Sequence, residues 1–191
     1  MAYLTINEAR DAVRRRGVTR SARSILNEAA STVRKDQQFD VFLSHCVKDA
    51  EAILGVKILL EDAGLSVYVD WIEDKDLDRA NVTPATAAIL RERMQASKAM
   101  MFATSEASPS SKWMPWELGY FDGLRQAQIA ILPLLTSPRD AFKGQEYLGL
   151  YPVVERLSHT DGGSGIYVTK PPNYYLPLRE FRSGSKQFRT T

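Results

Sequence analysis

Between residues 39 and 135 the chain alternates short apolar runs with longer stretches in which apolar residues recur every three or four positions. The runs at 39–44, 66–70, 98–104 and 128–135 predict buried strands. The stretches at 48–63, 83–96 and 111–125 predict amphipathic helices, each ending in or near a glycine, a polar turn or a β-rich run. Four such strand-then-helix units in about 100 residues, with no internal repeat, predict an α/β fold in which crossover helices flank a central parallel sheet.

The flanks read differently. Residues 1–38 predict a helical N-terminal extension, with helices at 6–16 and 21–35 broken by Gly17-Val18-Thr19 and with Ser21 placed to cap the second. Ile25, Leu26, Ala29, Ala30 and Val33 form one apolar stripe on that helix, fit to pack on its own domain, on a second copy or on a partner. Beyond Leu135 the pattern weakens. Residues 137–142 are expected to start a helix, 161–165 to make a glycine-rich turn, and 165–169 to form a fifth strand. From Lys170 three prolines and little periodicity predict an extended C-terminal tail over residues 170–191, ordered in part by Tyr174, Tyr175 and Leu176. The organisation expected is thus 1–38, a domain over 39–169, and a tail.

Composition narrows the function classes. The 191 residues are 44% apolar and 25% charged, the balance of a globular protein. Net charge is +2, but residues 1–38 and 170–191 each sum to +4 while 39–169 sum to −6. An acidic middle argues against a nucleic-acid-binding core, because such cores concentrate lysine and arginine. Cys46 is the sole cysteine, which excludes an intrachain disulfide and a thiol-clustered metal site. No apolar run reaches the roughly 18 residues that a membrane span needs, and 1–16 lacks the core of a secretion signal, so a cytoplasmic location without membrane contact is expected.

In an open parallel sheet ligands bind beyond the carboxyl ends of the strands. Three stretches fall there: Ser44-His45-Cys46-Val47, the loop opening with Asp70-Trp71, and 105–113. The last leads into Ser111-Lys112-Trp113-Met114-Pro115-Trp116-Glu117-Leu118. Ser111 is placed to cap this helix, and Pro115 is tolerated because first-turn amides have no intrahelical partner to lose. Trp113 and Glu117 stand one turn apart on the same face, an indole beside a carboxylate near the pocket rim. Trp116, which cannot share that face, is expected in the core or an interface.

These segments, 40–45, 67–70 with its following loop, and the Ser-x-Trp-x-x-x-Glu-Leu run at 111–118, resemble the successive boxes of Toll/interleukin-1 receptor (TIR) domains over about residues 39–135, in the family's order and spacing. The resemblance implies a flavodoxin-like TIR fold. It also implies NAD glycohydrolase or ADP-ribosyl cyclase activity of the kind found in bacterial anti-phage defence and signalling, with Glu117 as the catalytic glutamate and Trp113 one turn before it. The chain departs from the family in the loop 71–84, which lacks a common glycine, and at Cys46-Val47.

One carboxylate suffices for that chemistry. Nicotinamide leaves NAD as a neutral molecule from a cationic ring, so no general acid is required. The transition state needs stabilisation of positive charge on the ribose, which a carboxylate supplies. Ser44, His45, Cys46, Val47, Asp70, Trp71 and Trp113 are the expected substrate contacts, with NAD as substrate and neither a resident cofactor nor a metal. His45 is assigned to the pocket and not to proton transfer, since it has no carboxylate nearby in sequence. Cys46 is badly placed for a thiol–imidazole pair, as neighbours on a strand face opposite ways. The acidic run from Asp70 to Asp78 lacks the glycine and terminal glutamate of a calcium loop, and the glycines at 162–165 lack a following Lys-Ser/Thr. Family resemblance further implies self-association as a dimer or filament, with the loop 71–84 expected in the contact; with no sensor fused to the domain, a separate sensor or effector protein is expected. The alternative reading is a non-catalytic TIR interaction module.

Overall fold

The computed structural model describes residues 2–46, 49–69, 83–105, 108, 111–137, 140–142, 144–159 and 162–190. Among them nine strands form one sheet, in the order β3-β2-β4-β5-β6-β7-β8-β9, with β1 paired to β5. β1 is Leu4–Thr5, β2 Phe39–Ser44, β3 Val67–Val69, β4 Ser97–Thr104, β5 Ile129–Leu135, β6 Val153–Ser158, β7 Ser164–Lys170, β8 Tyr174–Pro177 and β9 Arg189–Thr190. Strands β3, β2, β4, β5 and β6 run parallel. Taken alone they have the 2-1-3-4-5 order of a flavodoxin-like sheet, which reverses between β2 and β4.

The helices are α1 Ile6–Arg15, α2 Ala22–Ser31, α3 Ala50–Asp62, α4 Pro84–Gln95, α5 Trp113–Arg125 and α6 Leu178–Arg182. Alternation along the strands sorts side chains into two cores. Val41, Leu43, Met101 and Leu132 face α1, α3 and α6. Phe42, Met100, Phe102 and Ile131 face α4 and α5. Both faces of the strands are therefore apolar, the reason β2 reads as an unbroken hydrophobic run apart from Asp40. Asp40 sits where β2 begins, buried, and accepts from the Ser66 amide (2.9 Å) and Lys98 Nζ (3.0 Å) while pairing with Arg182 of α6.

Residues before Phe39 are not only helical. Leu4 and Thr5 lie parallel to Leu134 and Leu135, and Ala2 bridges Arg156, so the chain start fills the gap where β5 and β6 part. Thr5 then caps α1: its hydroxyl accepts from the Glu8 amide (3.1 Å) and the Glu8 carboxylate accepts from the Thr5 amide (2.8 Å). α1 crosses α3 at backbone contact. An ideal Cβ on Gly55 would stand 1.9 Å from the Ala9 carbonyl oxygen, so that crossing requires glycine. Ser21 caps α2 as expected, accepting from the Ser24 amide (3.2 Å). In the apolar stripe of α2, Leu26 is fully buried and Ile25 packs against the same core.

Two expectations are corrected downstream. Residues 137–142 carry no helix among those described, and Asp140 instead accepts from the Ser137 amide (2.9 Å) in a turn. Residues 170–190 are not an extended tail: β8 returns antiparallel on β7, α6 packs Leu178 and Phe181 into the core, and β9 pairs with β8. Alternate burial of Leu176, Leu178 and Phe181 drives this, because each buried side chain of that size contributes roughly 1.5–3 kcal/mol. The fifth strand, expected at 165–169, is observed as β7, with the unexpected β6 before it.

Candidate functional site

Strand alternation puts Ser44 on the same face as Phe42, towards α5. α5 presents Trp113, Met114, Glu117, Leu118 and Phe121 inward, a stripe at helical spacing that is apolar except for one carboxylate. Ser111 starts the helix by accepting from the Met114 amide (3.2 Å). Glu117 is only 3% exposed, and Ser44 Oγ donates to its Oε2 at 2.5 Å. A carboxylate in such surroundings is stable only with polar partners, since an unpaired buried charge costs several kcal/mol. The pair stands where the strand order reverses, since Ser44 is in register with Phe102 of β4.

The loop after β2 continues the polar rim. His45 is buried, and its Nδ1 donates to the Leu43 carbonyl (3.2 Å). Cys46 is buried in the α4/α5 core, and its carbonyl accepts from the Asp49 amide (3.1 Å). Asp49 precedes α3 without capping it through its side chain, because its carboxylate accepts from Ser105 Oγ at the end of β4. Ser108 Oγ accepts from the Ser105 amide (2.7 Å) and so holds the turn that leads from β4 to α5. Sequence reasoning missed the Asp49–Ser105 link; an Asp one residue before a helix beyond a strand end was the available signal.

Of the expected site residues, Ser44 and Glu117 are hydrogen-bonded, Cys46 and Trp113 share the core on the α4/α5 side, and His45 follows Ser44 with its ring on the Leu43 carbonyl. Trp113 lies deeper than a rim position: it is 5% exposed, packed in the core with its edge against Trp116 (ring centroids 5.4 Å), and its Nε1 has no hydrogen-bond partner among the described residues. Trp116 is the more exposed of the two, stacked on Tyr120 with Arg91 5.2 Å above it, in the seam between α4 and α5. Val47, Asp70, Trp71 and the acidic run to Asp78 lie outside the described residues, as does most of the loop 71–84. No cluster of metal-ligating side chains occurs among the described residues, and no helix there is long and apolar enough to cross a membrane.

Beside this cluster, at the carboxyl ends of β4 and β5, opens a cavity of about 460 Å³ lined by Thr104, Ser105, Leu134, Leu135, Asp140 and Phe142 among others. It lies within the size range of small-molecule sites.

A 2-1-3-4-5 parallel sheet with a buried glutamate one turn after a tryptophan, at the point of strand-order reversal, defines a TIR-type α/β domain. The chain belongs to the bacterial TIR-domain family. It is 56% identical over 137 residues to a Bacillus cereus (strain MSX-D12) protein named "Probable 3' cyclic ADP-D-ribose synthase ThsB'", a match covering 71% of this chain and 70% of that protein. It is 33% identical over 92 residues to a Cytobacillus dafuensis protein named, provisionally, cyclic ADP-D-ribose synthase TIR2; this match covers 48% of the chain and 24% of that longer relative. No protein-family model matches the chain.

Proposed function

We propose that this protein cleaves the nicotinamide–ribose bond of NAD and closes the remaining ADP-ribose on itself, giving nicotinamide and a cyclic ADP-ribose, with Glu117 as the carboxylate facing the reacting ribose. The observation that carries this is the burial of Glu117 in an apolar helix face, held by Ser44, at the ligand-binding edge of the sheet. The names of both relatives agree with the product class, and that of the Bacillus cereus protein points to a 3′ linkage.

The C1–N bond breaks with its electron pair passing to the pyridinium, which becomes neutral nicotinamide. Positive charge then develops on the ribose, and Glu117 stabilises it in a site sheltered from water, where a fixed charge acts most strongly. A hydroxyl on the adenosine side of the same molecule attacks C1 and releases its proton, completing the cyclic product. Water in its place gives ADP-ribose. Exclusion of water therefore favours cyclisation, and the closeness of an attacking group already in the molecule supplies much of the rate. Ser44 positions Glu117, Trp113 backs it by packing, and His45 with the backbone at Cys46 lines the approach. NAD is the substrate, and no resident cofactor or metal enters these steps.

Self-association is proposed to accompany activity, with turnover per chain rising with protein concentration. A cytoplasmic role in bacterial defence or signalling is proposed with it, the cyclic nucleotide being read by a separate protein.

The test is incubation of the concentrated protein with NAD, followed by liquid chromatography and mass spectrometry. Nicotinamide release that Glu117→Ala abolishes, with a companion product lighter than ADP-ribose by one water, is the expected result. Intact NAD across a wide concentration range would overturn the reading in favour of a non-catalytic interaction module.

A further inference from the structure

The cavity at the ends of β4 and β5 is lined by neither Glu117 nor Ser44, but β4 is common to both places: it pairs with Ser44 and then supplies Thr104 to the cavity wall. Thr104, on its wall, lies two positions beyond Phe102, the register partner of Ser44, a step of about 7 Å along the strand. The same wall carries Ser105, whose hydroxyl is bound to Asp49 of the loop following Ser44 and His45. The register of Ser44 on β4 and the Asp49–Ser105 link thus set the cavity wall next along the strand ends from the buried carboxylate.

The lining combines two chemistries. Phe142 and Leu135 offer an apolar surface with one flat aromatic ring, while Thr104, Ser105, Thr136 and Asp140 offer hydroxyls and a carboxylate. That mixture suits a flat heterocycle with a polar edge attached to a sugar. Residues 2–5 help to shape it: Leu4 and Thr5 pair with Leu134 and Leu135 of its wall, and Tyr3 packs edge-on against Phe142 (ring centroids 6.1 Å, 65° between planes).

We infer that this cavity is the adenosine subsite of the dinucleotide, with the adenine on the Phe142 ring and the Asp140 carboxylate accepting from a ribose hydroxyl, and that the N-terminal strand β1 exists in part to build it. The inference rests on the NAD-cleaving reading for its physiological ligand. Holding the adenosine half beside the carboxylate, rather than leaving it in solvent, brings its hydroxyls within reach of the ribose cation and so favours cyclisation over hydrolysis.

The experiment measures adenosine binding to the full chain by calorimetry, and nicotinamide release and product ratio from NAD, for the native protein, Phe142→Ala and Asp140→Asn. Asparagine keeps the acceptor that the Ser137 amide uses, so the turn is retained in the second variant. The expected result is that adenosine binds and competes with NAD, that each variant weakens it about tenfold or more, on the scale of base–aromatic stacking and charged hydrogen bonds, and that KM for NAD rises while ADP-ribose grows at the expense of the cyclic product. Adenosine that fails to bind, or binds all three proteins equally, while the native protein still releases nicotinamide, overturns the subsite and leaves the enzyme standing. Adenosine binding that both variants weaken, with no nicotinamide release by the native protein, upholds the subsite and overturns the NAD-cleaving reading.

Discussion

Ser44 Oγ and Glu117 Oε2, 73 positions apart in the chain, meet at 2.5 Å inside the protein. That hydrogen bond ties the end of the first strand of the parallel sheet to the first turns of α5, and it fixes the one carboxylate on an otherwise apolar helix face.

Glu117→Gln keeps the volume and an acceptor for Ser44 but removes the charge. The rate of nicotinamide release is expected to fall by about 10²–10³-fold, the scale for losing one electrostatic stabiliser of a transition state. Ser44→Ala removes only a charge-assisted hydrogen bond and is expected to cost about tenfold. Steady-state rates with NAD, alongside melting curves showing both variants folded, check the ordering.

Trp113 separates packing from ligand contact. Phenylalanine deletes an indole N–H that has no partner among the described residues, and is expected to cost less than about 1.5 kcal/mol in stability with turnover within a few-fold of native. Alanine leaves a cavity and is expected to cost about 3–5 kcal/mol. Denaturant titration reads the two stabilities; a loss of turnover beyond a hundredfold in a well-folded Trp113→Phe protein would instead place the indole on the substrate.

Gly55→Ala tests the crossing of α1 over α3. The added methyl has backbone, not a flexible side chain, 1.9 Å away, so the helices must move apart. A loss of about 1–3 kcal/mol is expected, together with faster hydrogen exchange in residues 4–15, which that crossing holds against the sheet.

Asp40 makes stability depend on pH in a definite direction. Burial pushes its carboxyl up, but hydrogen bonds from the Ser66 backbone, Lys98 and Arg182 outweigh this and hold it below the usual 3.8. A lowered folded-state value means that the charged pair stabilises above the unfolded value and that this contribution is lost as pH falls through the folded one. Asp40→Asn is therefore expected to be less stable than native at pH 5–7 by about 1–2 kcal/mol, with the gap closing as pH falls below the usual 3.8. Urea midpoints across that range read the convergence.

Much of the fold was legible locally. Strand β2 falls at the residues expected from its apolar run, and α4 and α5 lie within two residues of theirs at each end. Long elements with a strong period announce which residues are buried. β1 was not legible: Leu4-Thr5 is a strand only because Leu134 and Leu135 lie beside it. Nor were β8, α6 and β9, which are short and take their conformation from the sheet edge they extend. Within the site, Glu117 stood out through the resemblance of the Ser-x-Trp-x-x-x-Glu-Leu run to a TIR box, whereas the position of Asp49 before a helix marked it locally but could not name Ser105, 56 positions away, as its partner.

The sequence by itself determined that the chain is an α/β protein, where its long strands and helices lie, and that Trp113 and Glu117 share one helix face. Local periodicity encodes these, because burial on one side of an element repeats with that element's own geometry. Only the tertiary structure decided that Ser44 is the residue under Glu117, that Trp113 is buried while Trp116 reaches the surface, and that residues 2–5 enter the sheet beside a cavity. Those outcomes depend on which elements become neighbours, a choice made by the packing of the whole core and written in no single stretch of the chain.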